Sequence, residues 1–143
     1  MHLTAEEVKK YHEKRIWEGL DTEYEIGPSF RPNEGNFTSI DLSPLKNVTD
    51  IECYFLHSCK ITNINLSPLK NVDTVDSSLF WNCPNLLHIT WPHTRCWNVA
   101  MRKYMPYRRG EICKTYWKHI SNSVNLEDAH ILNGEEKENA SNS

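Results

Sequence analysis

Two thiols and two imidazoles stand close together as Cys83-x4-His88-x4-His93-x2-Cys96, and these are the side chains that bind zinc. Their spacing argues against a metal, because tetrahedral zinc sites are usually built from close Cys-x2-4-Cys pairs that this set lacks. A second group, Cys53, His57 and Cys59, is weaker still. The expectation is therefore no metal and no cofactor.

A different chemistry is suggested by residues 95–118, where Arg95, Arg102, Lys103, Arg108, Arg109, Lys114 and Lys118 are interleaved with Trp97, Tyr104, Tyr107, Tyr116 and Trp117. Cations beside aromatic rings are what phosphate contact and base stacking require. Runs of charge more often form the solvated face of a packed helix, with the aromatics buried beneath them. Nucleic acid, RNA in particular, stays as the alternative partner. The chain contains no phosphate-binding loop, dinucleotide fingerprint, G-x-S-x-G or H-E-x-x-H, so no catalytic constellation is evident and the expectation is a protein that is not an enzyme.

Composition narrows the class without choosing a function. The chain has 143 residues, 38% of them apolar, and a net charge of -3, which suits one folded domain and neither a disordered chain nor a strongly basic nucleic-acid binder. The opening residues MHLTAEEVKKYH carry charge where a secretion signal needs an apolar core, and no stretch is long and apolar enough to span a membrane. A cytoplasmic or nuclear location is expected, with no membrane partner. The glycosylation-like tripeptides at Asn36, Asn47, Asn65 and Asn139 are then incidental, and the five cysteines should remain reduced.

The elements that would carry these residues emerge from an internal repeat. Leu-Ser-Pro-Leu-Lys-Asn-Val occurs identically at 42–48 and 66–72, a period of 24. Around it, FTSIDLSPLKNVTDIECYFLHSC (37–59) lies over ITNINLSPLKNVDTVDSSLFWNC (61–83) without a gap. A third copy begins at Leu86, Ile89 and Trp91 and departs from the pattern at Pro92, and a partial one precedes the first at Ile26 and Phe30. The alternation Ile40-Asp41-Leu42 and Ile64-Asn65-Leu66 predicts strands at 38–42, 62–66 and 87–91 with one face buried. Ser-Pro then ends each strand, because proline cannot donate to a ladder. Cys59 and Cys83 fall on equivalent positions that face the core.

This order of residues, seen in ITNINL, NVTDI, YFLHSC and LFWNC, resembles the leucine-rich repeats, in particular the BspA-like or Treponema-type variant, over residues 26–92. The resemblance implies an α/β repeat fold: a short leucine-rich-repeat solenoid with a small parallel sheet. One departure is the glycine that usually follows the second isoleucine. It is present only as Gly27, with Glu52 and Asp76 at the later positions.

Both ends of such an array need covering. Residues 4–19 predict an N-terminal helix with Thr4 as N-cap, Glu7 completing a capping box and Gly19 beyond its end, and Val8, Tyr11, Ile16, Trp17 and Leu20 are expected to lie on the array. C-terminal helices over 95–121 are expected to close the other end, with Ile112, Cys113, Tyr116, Trp117 and Ile120 as an apolar stripe. Residues 1–121 thus read as one capped domain, and 122–143 as a polar, disordered tail. The expected function is protein–protein interaction, with membership of a larger complex as a further expectation. The outward-pointing residues Ser39, Asp41, Asn63, Asn65, His88 and Thr90 would line one concave strand face.

Overall fold

A computed structural model describes residues 1–76 and 78–101. The element order is β1 (His2–Leu3), α1 (Ala5–Trp17), β2 (Glu25–Ile26), β3 (Ser39–Ile40), β4 (Asp50–Ile51), β5 (Asn63–Asn65), β6 (Thr74–Val75) and β7 (His88–Thr90). The expected helices beyond residue 101 and the tail at 122–143 lie outside the described residues.

All strand pairs are parallel and fall into two rows. In one row β2 pairs with β4 and β4 with β6, matching Ile26 to Ile51 to Val75. In the other β1 pairs with β3 and β5 with β7, and Thr62 N donates to Thr38 O at 3.0 Å to join β3 to β5. The paired strands stand 24 or 25 residues apart within residues 25–90, the spacing of the sequence repeat. They are shorter than expected, two or three residues each. Ser43–Leu45 and Ser67–Leu69 form 3-10 turns directly after them, with Pro44 and Pro68 in the first turn, where a missing N–H costs nothing.

Between the rows lies one core. Leu3, Ile40, Ile64 and Ile89 form one buried column, and Phe30, Phe55 and Phe80 another, with ring centroids 5.6 Å apart for Phe30–Phe55 and 6.5 Å for Phe55–Phe80. Burial of each such side chain contributes about 1.5–3 kcal/mol. The chain reverses behind this column through left-handed residues that recur with the repeat: Leu56 with Phe80, and Ser58 with Asn82. That conformation costs about 1–2 kcal/mol in a residue with a Cβ. It is held by Leu56 N donating to Phe30 O at 2.8 Å and Phe80 N donating to Phe55 O at 3.1 Å.

Helix α1 has the predicted capping box. Glu7 N donates to Thr4 Oγ1 at 3.3 Å, and Thr4 N donates to Glu7 Oε1 at 2.9 Å. The carboxylate of Glu7 is held below its ordinary pKa, chiefly by the bond from the Thr4 backbone N–H. Gly19 follows the helix with φ +82°, a conformation glycine adopts freely.

The buried face of α1 departs from expectation. Val8 is buried and Tyr11 partly so, but Ile16, Trp17 and Leu20 are 38%, 88% and 51% exposed. Arg15 and His12 are buried in their place. Arg15 Nε donates to Asp21 Oδ2 and Nη2 lies 2.9 Å from Asp21 Oδ1, while Nη2 also donates to Pro28 O at 2.9 Å. The guanidinium lies 5.6 Å from the Phe30 ring centre. A polar side chain can enter this interface because its Nε and Nη2 find acceptors there.

Gly27 is explained by the same junction. A Cβ there would stand 2.1 Å from Leu20 O, and Gly27 N donates to Asp21 Oδ1 at 2.8 Å. The chain leaving α1 crosses directly over this residue, whereas Glu52 and Asp76, its counterparts, are exposed.

At the other end residues 95–101 are helical, started by Thr94, whose Oγ1 accepts from Trp97 N at 3.3 Å. Trp97, Ala100 and Met101 are buried. The Trp97 indole donates to Leu69 O at 2.9 Å, and the Trp91 indole to Asn98 Oδ1 at 3.0 Å. Among the described residues no helix is long and apolar enough to cross a membrane.

Candidate functional site

The strands β1, β3, β5 and β7 turn alternate side chains outward, and their pairing aligns the predicted residues. Asn63 lies opposite His88 and Asn65 opposite Thr90. Ser39 lies opposite His2, a residue the sequence reading did not include. His2 Nδ1 is 2.7 Å from Ser39 Oγ. The signal that could have revealed it is slight: His2-Leu3 repeats the polar–apolar order of Ser39-Ile40 over only two residues. An open depression of about 390 Å³ lies among His2, Ser39, Asp41, Asn63, Asn65 and Pro68.

Two of the six predicted residues have a second task. Asp41 Oδ1 accepts from Ser43 N at 2.9 Å, and Asn65 Oδ1 accepts from Ser67 N at 3.0 Å. Each starts the 3-10 turn after its strand, a role that needs a short side chain with an acceptor oxygen. The bond from the Ser43 backbone holds the Asp41 carboxyl below its ordinary pKa. Asn63 Nδ2 donates to Thr62 Oγ1 at 3.1 Å. Hydroxyl, amide and imidazole groups on this face can exchange neutral hydrogen bonds with a partner. Asp41 is the one carboxylate among them.

The weak metal candidate is dispersed by the fold. Cys83 is buried, with its thiol donating to Leu56 O at 3.1 Å and its sulfur accepting from Cys59 N at 3.3 Å. His88 is half-buried on the strand face and His93 is exposed. Cys96 lines a different groove beside Asp73, where burial first and that carboxylate second raise its pKa. Among the described residues no group of three or more His, Cys, Asp or Glu is placed to hold a metal ion. Cys59 is buried against Cys83, which raises its thiol pKa far above the ordinary range. The Cys59 sulfur therefore lacks the thiolate character of a reactive cysteine.

Of the basic residues proposed for nucleic acid, Arg102, Lys103, Arg108, Arg109, Lys114 and Lys118 lie outside the described residues. Tyr54 and Trp81 are exposed and meet edge to face at 6.0 Å.

No family model, curated protein or solved structure matches this chain.

Proposed function

We propose that this chain is a short array of the leucine-rich-repeat type, of about three units, that binds another protein without turnover. The partner contacts the outward face of β1, β3, β5 and β7. One observation carries the reading: polar side chains of β1, β3 and β5 line one open depression, and His88 and Thr90 of β7 continue their register beside it. Such side chains add hydrogen bonds to an interface at little desolvation cost compared with charges. His2, Ser39, Asn63, His88 and Thr90 are the recognition groups in this reading. Asp41 and Asn65 shape the loops beside them. The patch is smaller than the ~800 Å² that each partner of a standard interface contributes, so the capping residues complete the footprint. No membrane and no cofactor enter this function.

A photo-crosslinking amino acid placed at Asn63 tests it, with the same group at Lys46 as the reference. A discrete protein adduct from Asn63, lost when Ser39 is also replaced by Arg, supports the reading. Equal labelling from both positions, or retention of nucleic acid alone, overturns it.

A further inference from the structure

The row β2–β4–β6 has two ends, and they differ in chemistry. Along it each strand offers two carbonyls to the next. Tyr24 O accepts from Thr49 N and Asp50 N, and Ile26 O from Glu52 N; Thr49 O then accepts from Asp73 N and Thr74 N, and Ile51 O from Asp76 N. The corresponding carbonyls of β6 are those of Asp73 and Val75. Among the described residues no N–H donates to either, and the Val75 N–H points to the same side by the alternation of a parallel ladder. At the opposite end β2 is closed, since Thr22 N donates to Glu25 O at 2.9 Å and Gly27 N to Asp21 Oδ1.

The β6 edge opens into a groove of about 450 Å³ between the strand and the helical residues 95–101. Val75, Cys96, Val99 and Ala100 supply its apolar wall, with Asp73 and Arg95 near one end. We propose that this edge is a docking strand for an extended segment of a partner protein, carrying a β-branched residue followed by Lys or Arg. The segment adds as one more strand through the backbone of Asp73 and Val75, a recognised mode of peptide capture.

The side-chain requirements follow from the columns already present. Ile26, Ile51 and Val75 face inward in line, so the added strand continues them with a β-branched residue in the groove. One residue further on, Gly27, Glu52 and Asp76 stand in line, and a cation next in that column lies beside the Asp76 carboxylate, with Glu52 one strand further away. Asp73 Oδ1 accepts from Thr74 Oγ1 and Asp76 Oδ1 from Ser78 N, but among the described residues no Lys, Arg or His lies within 4.0 Å of Glu25, Asp50, Glu52, Asp73 or Asp76 as an ion pair, so no described cation offsets their negative charge, which favours a basic partner. The same charges disfavour a second copy of the chain, because pairing β6 with β6 would bring Asp73 and Asp76 of both copies together.

The test uses the complete chain and the fluorescent peptide Ser-Thr-Val-Lys-Ser. Saturable binding is expected, weakened by salt and at least about ten-fold weaker when the lysine amide is N-methylated or the lysine is replaced by glutamate. Val75→Pro removes the outward N–H at an edge position that tolerates proline and should weaken binding similarly. The unmodified protein with N-methylated peptide gives the same answer without any change to its fold. Hydrogen exchange at the Val75 amide should be fast alone and slowed by the peptide. Equal binding of the methylated peptide, or a Val75 amide already protected without peptide by the chain's own residues, overturns the proposal.

Discussion

The two ends of the array solve one problem in opposite ways. At the N-terminal end the last strand edge is closed by the turn after α1: the Asp21 carboxylate accepts from the Gly27 N–H and pairs with Nε and Nη2 of Arg15, and the Thr22 backbone N–H donates to the Glu25 carbonyl. At the C-terminal end the helical residues 95–101 anchor over the Leu69 side through Trp97 and leave β6 beside a groove. The difference teaches that covering a hydrophobic core and satisfying a strand edge are separate tasks. Among the described residues, Trp97 accomplishes the first without the second, and Asp21 accomplishes both.

The strongest test of that contrast is Asp21→Ala. It leaves the buried Arg15 unpaired and the Gly27 N–H without its acceptor, and is expected to cost about 3–5 kcal/mol in denaturant unfolding. Asp73→Ala, at the open end, should stay within about 0.5 kcal/mol of the native protein. Similar losses from both would end the distinction between a sealed and an open edge.

Gly27→Ala compares equivalent positions within the repeat. The added methyl collides with Leu20 O and should cost about 1–3 kcal/mol in thermal or chemical unfolding, as overpacking does, whereas Glu52→Ala should be close to neutral. Asn65→Ala is expected to cost about 1 kcal/mol, because it removes the acceptor of the Ser67 N–H. A negligible loss there would mean that the turn needs no side-chain start. Trp17→Ser should change stability by no more than about 0.5 kcal/mol, since the indole lies almost wholly in solvent. A loss above about 2 kcal/mol would show it to be packed.

The smallest effect expected concerns Asp41. Its carboxyl is held below the ordinary pKa by the Ser43 N–H, so its ionised form favours the folded state. That contribution is present above the unfolded-state pKa and is lost as pH falls through the lower folded-state value. Asp41→Asn, which imitates Asn65, should remove this acid-side slope while leaving stability at neutral pH nearly unchanged. An unaltered slope would assign the titration to another group.

Much of the core was legible in the chain itself. The alternation at Ile40-Asp41-Leu42 and Ile64-Asn65-Leu66 indicated which side chains turn inward, because a strand's two-residue period is a local property of the backbone. The capping box at Thr4 and Glu7 was legible for the same reason, since its partners are three residues apart. The face buried by α1 was not. Apolar content favoured Ile16 and Trp17, and the structure chose Arg15, whose partners Asp21 and Pro28 are brought to it only by the turn after the helix. His2 joined the candidate face because its strand reaches across to Ser39, a pairing that no spacing announces.

By itself, then, the sequence determined the repeat period, the inward columns and the start of the first helix, because each depends on residues a few positions apart or on a pattern that recurs. Only the tertiary structure decided which helix face is buried, why glycine stands at 27 alone, where the four cysteines and histidines of 83–96 part company, and how the turn after α1 closes the β2 edge. Each of these depends on which backbone segment crosses another at a distance of a few ångströms, as Leu20 O does over Gly27, and that is set by the packing of the whole core.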